Sequence, residues 1–351
     1  MSNVVFASKL SRSFCWKAGT RCRPVLLPSG STEPHKRGTM KYEKRIRMML
    51  TRRGFVAGSA AVGLATSVPI AAQTSSSRVV LLGTKGGPTP SSSRAPASVA
   101  IVVDSALYLV DCPNGVSGQL AKAGIRLNQL SQVFVTHDHS DHVLDAGSLV
   151  VLAWGSGLRS SVTLHGPPPL RRIVDRSLEA SDYDIAARMR EEGRPPLRPL
   201  IHVQEVSRSG EVYRDAHVRV TCAMVDHFTV KPAFAFRFDI PDRSIVISGD
   251  TTYSEHLIQL ARGADLLIHE AMYLPGVDQL AAGNLSLKEH LLRSHSTTEQ
   301  VGLVAARAGV GKLVLSHLVP AFPSITDDMW LSGVRKNFRG EAVVGRDLQE
   351  L

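Results

Sequence analysis

The chain has 351 residues, of which 43% are hydrophobic and 21% are charged, and this composition excludes an intrinsically disordered protein. The formal net charge is +10, but residues 1–72 carry 13 basic and 2 acidic residues, whereas residues 73–351 carry 28 basic and 29 acidic residues. The body of the chain therefore has a net charge of −1. This balance excludes a basic protein built to bind polyanions. Four cysteines are too few for a disulfide scaffold.

Residues 48–72 are predicted to be an export signal. Arg52 and Arg53 form a twin-arginine pair behind a positively charged stretch, and a weakly apolar run of small residues follows at 56–72. This order of charged, apolar and small residues is that of a secretory signal, here of the twin-arginine type. Cleavage is expected before Gln73, which places the mature protein in the periplasm or outside the cell.

Residues 1–47 show no periodic apolar pattern and are predicted to be a disordered upstream segment. Met48 and Met49 lie just before the twin arginine, so the true start codon is left open. The alternative interpretation of 48–72 is a membrane-anchoring helix, but the run is short and rich in glycine for a stable span. No stable membrane span is expected after processing.

Residues 73–351 are predicted to form one catalytic domain of mixed α/β class, folded as a layered sandwich, because short β-branched runs alternate with helical patterns. The last predicted helix has Ser296 and Glu299 in a capping-box pattern and ends at Gly309. Strands are predicted at 79–82, 99–103, 107–110, 133–135, 162–164, 218–222, 233–238, 245–248, 266–268 and 313–315, and helices at 141–153, 184–192, 254–261 and 297–308.

The most informative motif, at 136–142, directly follows the predicted strand 133–135. It reads Thr-His-Asp-His-Ser-Asp-His, with three histidines and two aspartates in seven residues. Imidazole and carboxylate side chains are ligands that zinc and related first-row metals prefer. At the turn from strand to helix, His137 and His139 are expected to point to one side, and Asp141 and His142 to another. Such an arrangement can serve two metal ions.

This motif resembles that of the metallo-β-lactamase superfamily, and the family's remaining ligands are matched downstream where predicted strands end, by His227, Asp250 and His317. The resemblance covers about residues 79–320 and implies an αββα sandwich that binds two divalent metal ions. Zinc is the favoured metal, although the same ligands accept manganese or iron. By analogy, one metal is held by His137, His139 and His227, the other by Asp141, His142 and His317, and Asp250 bridges them.

Within that superfamily, the chain resembles the ribonuclease Z and zinc-dependent arylsulfatase branch. The most informative stretches are 265–271 and 295–297. The resemblance implies three catalytic residues: Glu270 orients His295, and His295 protonates the leaving oxygen. Asp141, besides binding metal, accepts a proton from the bridging water, which acts as hydroxide nucleophile.

The sequence departs from the tRNA-processing pattern at Met272, where those enzymes have Thr, and at Pro113, where Gly is usual. Because phosphate contacts dominate affinity for nucleic acids, tRNA is not expected as a partner of an exported domain with a net charge of −1. The region where a tRNA-binding arm is expected, 171–200, mixes basic Arg188, Arg190, Arg194 and Arg198 with acidic Asp182, Asp184, Glu191 and Glu192.

The leading functional hypothesis is an exported dinuclear hydrolase of small-molecule sulfate esters or phosphodiesters. A β-lactam or lactone hydrolase is one alternative. A degenerate metal-binding fold without catalysis is the other, and it is disfavoured because all seven ligand positions hold competent side chains. A homodimer is compatible with the sequence.

The other cysteines and histidines of the predicted domain are not chosen as ligands. Cys112 and Cys222 are far apart in the sequence and are interpreted as core thiols, and His290 is left undecided. The histidines without a partner at ligand spacing are interpreted as ordinary surface or core residues: His165, His202, His217 and His256.

Overall fold

The computed structural model describes residues 77–351, so the predicted upstream segment and export signal lie outside the described residues. In the described part, two seven-stranded sheets pack face to face, and helices cover both outer faces. This is the αββα sandwich expected from the sequence. None of the helices within 77–351 is both long and apolar enough to cross a bilayer.

The elements of the sandwich run as follows along the chain. The strands are β1 (Ser77–Gly83), β2 (Ser98–Val103), β3 (Ala106–Val110), β4 (Leu130–Phe134), β5 (Val162–Gly166), β6 (Ile201–Glu205), β7 (Gly210–Arg214), β8 (Arg219–His227), β9 (Val230–Asp239), β10 (Ser244–Ile247), β11 (Leu266–Met272), β12 (Lys312–Val319), β13 (Glu341–Val344) and β14 (Gln349–Glu350). The helices are α1 (Val116–Lys122), α2 (Ser140–Val143), α3 (Ala146–Gly155), α4 (Leu170–Ala180), α5 (Asp182–Glu192), α6 (Glu255–Leu260), α7 (Val277–Ala281), α8 (Leu285–Ser294), α9 (Thr298–Ala308) and α10 (Asp327–Val334).

Each sheet combines an antiparallel half with a parallel half. The first sheet has the order β14-β1-β2-β3-β4-β5-β6, and it is parallel from β3 to β6. The second has the order β13-β12-β11-β10-β9-β8-β7, and it is parallel from β10 to β13. Parallel neighbours need crossover connections, which here place helices on the outer faces. The carboxyl ends of the parallel strands consequently meet at one edge of each sheet.

Strand β1 shows how the apolar runs of the sequence fill the layers. Successive side chains of a strand point to opposite faces. Val79 and Leu81 therefore join the core between the two sheets, whereas Val80 and Leu82 join the core beneath the helices of the first sheet. All four side chains are buried, which explains why the run is continuously apolar.

Two predicted helices differ from the structure in detail. The predicted helix 141–153 is broken into α2 and α3, because the backbone N–H of Asp145 donates to the Cys112 carbonyl at 2.9 Å and its carboxylate accepts from Gly115 N–H at 2.7 Å. The capping box of α9 lies one residue later than predicted. Thr297 and Gln300 form it, while Ser296 donates its N–H to a buried carboxylate.

Other predictions are confirmed within the described range. Gly309 ends α9 in the left-handed conformation, and Cys112 and Cys222 are buried free thiols. His165 belongs to the core between the sheets, where its ring stacks on Phe134 with a centroid distance of 4.9 Å. The helices that the sequence analysis did not predict are α1, α4, α7, α8 and α10.

Phe134 anchors β4 in the core between the sheets, and its removal is expected to destabilise the fold. The ring is fully buried and meets Phe238 edge-on at a centroid distance of 5.1 Å. Phe134→Ala is expected to lower the free energy of unfolding by about 3–5 kcal/mol, through lost burial and the cavity left behind. Denaturant titration measures this loss. The control Tyr183→Ala removes a ring that is 88% exposed, and equal midpoints for the two variants would contradict the assignment.

Candidate metal centre

The seven predicted metal ligands converge at the strand ends that face one another across the two sheets. The segment after β4 supplies His137 and His139, and α2 follows at once with Asp141 and His142. From the second sheet come His227, the last residue of β8, Asp250, which follows β10, and His317 on β12. All except His139 are buried.

The first cluster consists of His137, His139 and His227. The Nδ1 atom of His139 lies 3.1 Å from His137 Nε2 and 3.2 Å from His227 Nε2. The Oδ2 atom of Asp250 lies 3.8 Å from the former Nε2 atom and 3.9 Å from the latter. These four ligand atoms are close enough together to hold one metal ion.

The second cluster consists of Asp141, His142 and His317. The Nε2 atoms of the two imidazoles are 3.3 Å apart, and Asp141 Oδ2 lies 3.6 Å from that of His142 and 3.4 Å from that of His317. The same Oδ2 atom of Asp250 is 3.4 Å from His142 Nε2 and 3.2 Å from His317 Nε2. Asp250 therefore lies between the two clusters, where the sequence analysis placed the bridging ligand.

The charges of the centre fit bound cations. Asp111, Asp141 and Asp250 are buried, and among residues 77–351 their ion-pair partners are histidines, with no lysine or arginine within pairing distance. Buried carboxylates need compensating positive charge. This charge has to come from protonated imidazoles or from metal ions. The Oδ1 atom of Asp250 is, in addition, buried without a hydrogen-bond partner.

The pKa values of the histidines reflect two opposing effects: burial lowers them, and neighbouring carboxylates raise them. Burial and the neighbouring His227 lower the pKa of His139 to about 4, so its ring is neutral and available as a ligand. Burial also lowers the pKa of His137. For His142, burial alone would lower the pKa, but Asp250, Asp111 and Asp141 outweigh it and raise the pKa well above the usual value. Nitrogen and oxygen donors of this kind suit zinc, and two such clusters fit two divalent ions.

Asp111 orients the second cluster, and the sequence analysis assigned it no role. Its carboxylate accepts His142 Nδ1–H at 2.8 Å, Thr136 N–H at 2.8 Å and the Thr136 hydroxyl at 3.0 Å. A carboxylate behind a ligating histidine fixes the tautomer that presents Nε2 to the metal. The available signal was the position of Asp111 directly after β3, the parallel neighbour of β4.

A β-bulge aims His317 at the centre. Ser316 pairs with Glu270 and Leu318 pairs with Ala271, so His317 is the extra residue of β12, and its φ is +42°. Bulges commonly redirect a side chain in this way. Gly86 leaves the space that the ring needs, since a Cβ at that position would lie 2.7 Å from His317 Nδ1. No local pattern in the sequence indicated this packing.

Glu270 and His295 form the predicted pair beside the clusters. Glu270 Oε1 accepts His295 Nδ1–H at 3.2 Å and the backbone N–H groups of Thr251 and Ser296 at 3.0 and 3.1 Å. His295 also lies close enough to Asp250 and His317 to share a ligand position with them. Burial alone would lower the pKa of His295, but the Glu270 carboxylate outweighs it and raises the pKa to about 9.

The five other histidines considered individually in the sequence divide into two groups, and His269 is buried on β11. His290, which the sequence analysis left undecided, lies beside the centre, with its ring 6.0 Å from that of His139. The others belong elsewhere: His165 bonds to Gln132 at 2.9 Å, His217 pairs with Asp104 at 3.3 Å, His256 bonds to the Met224 carbonyl at 3.1 Å, and His202 is exposed on β6.

Comparison with known proteins supports the same fold over most of the chain. The model of the family described as "Beta-lactamase superfamily domain" matches residues 107–318. Ribonuclease Z of Mycobacterium bovis (strain BCG / Pasteur 1173P2) is 32% identical over 276 residues, which cover 78% of this chain and 97% of that protein. Ribonuclease Z of Mycobacterium sp. (strain KMS) is 34% identical over 275 residues, which cover 78% and 95%.

Solved structures show the same fold at lower identity. The short form of human tRNase Z superposes with a TM-score of 0.59 at 22% identity, covering 78% of this chain and 98% of that one. The metallo-β-lactamase fold protein YhfI from Bacillus subtilis has a TM-score of 0.58 at 20% identity, with 78% and 98% covered. The chain therefore belongs to the β-lactamase superfamily as a metallo-β-lactamase-fold hydrolase related to ribonuclease Z.

Proposed function

We propose that this protein uses two divalent metal ions to hydrolyse phosphodiester bonds of small molecules. The observation that carries the proposal is Asp250 Oδ2, which lies within 3.9 Å of ligand nitrogens from both clusters, next to the Glu270–His295 pair. Relatives named ribonuclease Z match over nearly their whole length, which favours phosphodiesters over the β-lactams and lactones considered from the sequence.

One proposed metal ion would be held by the first cluster and the other by the second cluster, and Asp250 would be shared between them. Bound there, two divalent ions supply Lewis acidity and a nucleophile at neutral pH. Burial alone would raise the pKa of Asp141, but His142 and His317 outweigh it and hold the pKa below its usual value. This favours the ionised carboxylate that metal binding needs and makes Asp141 a weak proton acceptor. Its role as the proton acceptor stays a prediction.

His295 is proposed to protonate the leaving oxygen. Its Nδ1–H is held by Glu270, which leaves Nε2 as the atom that can carry a second proton. With a pKa of about 9, the imidazole is protonated at neutral pH. A proton passed from Nε2 to the leaving oxygen lets an alcohol depart instead of an alkoxide.

The surface of α4 and α5 supports a small substrate over tRNA. The four arginines considered for a tRNA-binding arm each have a carboxylate oxygen within 3.3 Å, so these four side chains leave little uncompensated positive charge for phosphates. The pairs are Arg188 with Asp184 and Glu192, Arg190 with Glu191, Arg194 with Glu192, and Arg198 with Asp175. Sulfate esters, the other expected substrates, present the same tetrahedral geometry at sulfur. Hydrolysis rates of matched phosphodiester and sulfate reporters distinguish the two substrate classes.

Removal of the shared ligand tests the proposed metal centre. Asp250→Ala is expected to lower hydrolysis of bis(4-nitrophenyl) phosphate by more than ~100-fold, because even residues that only support a metal ligand are worth about 10–100-fold. Metal content measured on the same samples is expected to fall. Chelation of the wild type should abolish activity, and 4-nitrophenyl sulfate serves as the matched sulfate reporter. A fully active Asp250→Ala protein would contradict the proposal.

The role of His295 predicts a dependence on the leaving group. His295→Gln is expected to lower kcat by about 10²–10⁴-fold for a diester with an alcohol leaving group, since general acid catalysis is worth that much. The loss should be much smaller for 4-nitrophenolate, which departs without a proton. Metal content should not change, and Glu270→Gln should shift kcat in the same direction. Equal losses for both leaving groups would show that His295 is not the acid.

We also propose that the protein leaves the cytoplasm by the twin-arginine route, supported by the charged, apolar and small-residue order of 48–72. Replacing Arg52 and Arg53 by lysine is expected to retain the protein in the cytoplasm of the cell that makes it. Fractionation followed by immunoblotting measures this. If the doubly substituted protein is found in the same cell fractions as the wild type, export by the twin-arginine route is contradicted.

A further inference from the structure

The last turn of α8 is fastened to the metal centre. The carbonyl of Ser294 accepts a hydrogen bond from His227 Nδ1 at 2.9 Å, and this bond fixes the ring that presents Nε2 to the first cluster. The hydroxyl of Ser294 lies 3.3 Å from His290 Nδ1, one turn earlier on the same helix. His290 is therefore tied to the turn that contacts the ligand His227, and Arg293 on the same turn pairs with Glu289 at 3.0 Å.

His290 borders the centre without a role in the proposed reaction. Its ring centroid lies 6.0 Å from that of His139, 6.2 Å from that of His227 and 6.3 Å from that of His295. The side chain is only partly buried, whereas the latter two rings are buried. His290 therefore lies between the clusters and solvent, on the side of the proposed acid.

Phe228 lies on the same side, directly after the ligand His227. Its φ of +53° is a left-handed backbone conformation that bulky residues rarely adopt. The guanidinium of Arg293 covers the ring at 3.9 Å from its centroid, a cation–π contact. The ring nevertheless stays partly exposed. Strained positions of this kind concentrate at ligand-binding sites.

We infer that His290, Phe228 and Arg293 form an aromatic subsite for the group that leaves on hydrolysis. The inference rests on the proposed function, because His295 marks the side on which the leaving oxygen lies. The Phe228 ring lies against the Arg293 guanidinium, and His290 lies three residues before Arg293 on α8. Planar aromatic groups stack on rings and guanidinium planes of this kind. The leaving group is thus an aryl or nucleobase-bearing alcohol, and not an aliphatic one.

Binding of three methylphosphonate monoesters, those of phenol, adenosine and cyclohexanol, tests the subsite by calorimetry on the metal-loaded protein. The aromatic esters are expected to bind about 5- to 100-fold more tightly than the cyclohexyl ester, as expected for one stacked ring. Whichever of the phenyl and adenosine esters binds with the higher affinity shows whether the subsite accepts an aryl group or a nucleobase. Equal affinity for all three esters would overturn the inference.

Phe228→Asn removes the ring without adding backbone strain, because Asn tolerates the left-handed conformation. It is expected to abolish the preference for aromatic esters and to change the affinity for the cyclohexyl ester by less than about 2-fold. His290→Ala and Arg293→Gln should lower the same preference by smaller factors. The matched control is Arg194→Gln, which removes a guanidinium 5.5 Å from the Trp154 ring on the other sheet's side of the molecule, and it should leave the preference unchanged.

The two proposals fail in distinguishable ways. A wild-type protein that prefers aromatic esters but does not hydrolyse phosphodiester reporters would support the subsite and overturn the proposed function. A protein that hydrolyses the reporters, but whose Phe228→Asn variant keeps the full aromatic preference, would overturn the subsite alone.

Discussion

Three buried carboxylates surrounded by imidazoles are the feature on which the site depends. Asp111, Asp141 and Asp250 have histidines as their ion-pair partners in the described part of the chain. In a buried environment such an arrangement is stable only with added positive charge. Protonated imidazoles, or two divalent ions at the two places where the ligand atoms converge, would supply this charge. The same requirement explains why Asp250 has to lie between the clusters.

The sandwich brings these groups together because strand ends meet across the two sheets. The first sheet contributes the 137–142 segment, and the second contributes His227, Asp250 and His317. Local backbone features then determine the direction in which individual side chains point. His317 is turned by a bulge, and the break at Asp145 separates the short helix that carries Asp141 from α3. Packing of Phe134 between the sheets holds the strand that precedes the motif.

The sequence predicted those parts of the site that lie in a local pattern. The spacing in 137–142 indicated four of the ligands, because a strand followed by a polar turn is a short-range signal. The family resemblance then located the other three where predicted strands end. The capping box of α9 was placed one residue early, since Ser296 is engaged by Glu270 through a contact 26 residues distant in sequence. Asp111 follows an apolar strand, a local signal that was not used. Gly86 and His290 act through packing between distant segments, which no local pattern reveals.

The metal centre and the proposed aromatic subsite have different consequences for function. The clusters and the Glu270–His295 pair are proposed to determine which kind of bond is cleaved. His227, Glu270 and His317 lie on strands of the second sheet, whereas His295 directly follows α8. The subsite of His290, Phe228 and Arg293 is proposed to determine which leaving group is accepted, and two of its members rest on a helix that the sequence did not predict.

Anomalous diffraction from crystals of the metal-loaded protein tests the central claim most directly. Two peaks are expected, one bordered by His137, His139 and His227 and the other by Asp141, His142 and His317, with Asp250 contacting both. A single peak, or none at saturating metal, would contradict it.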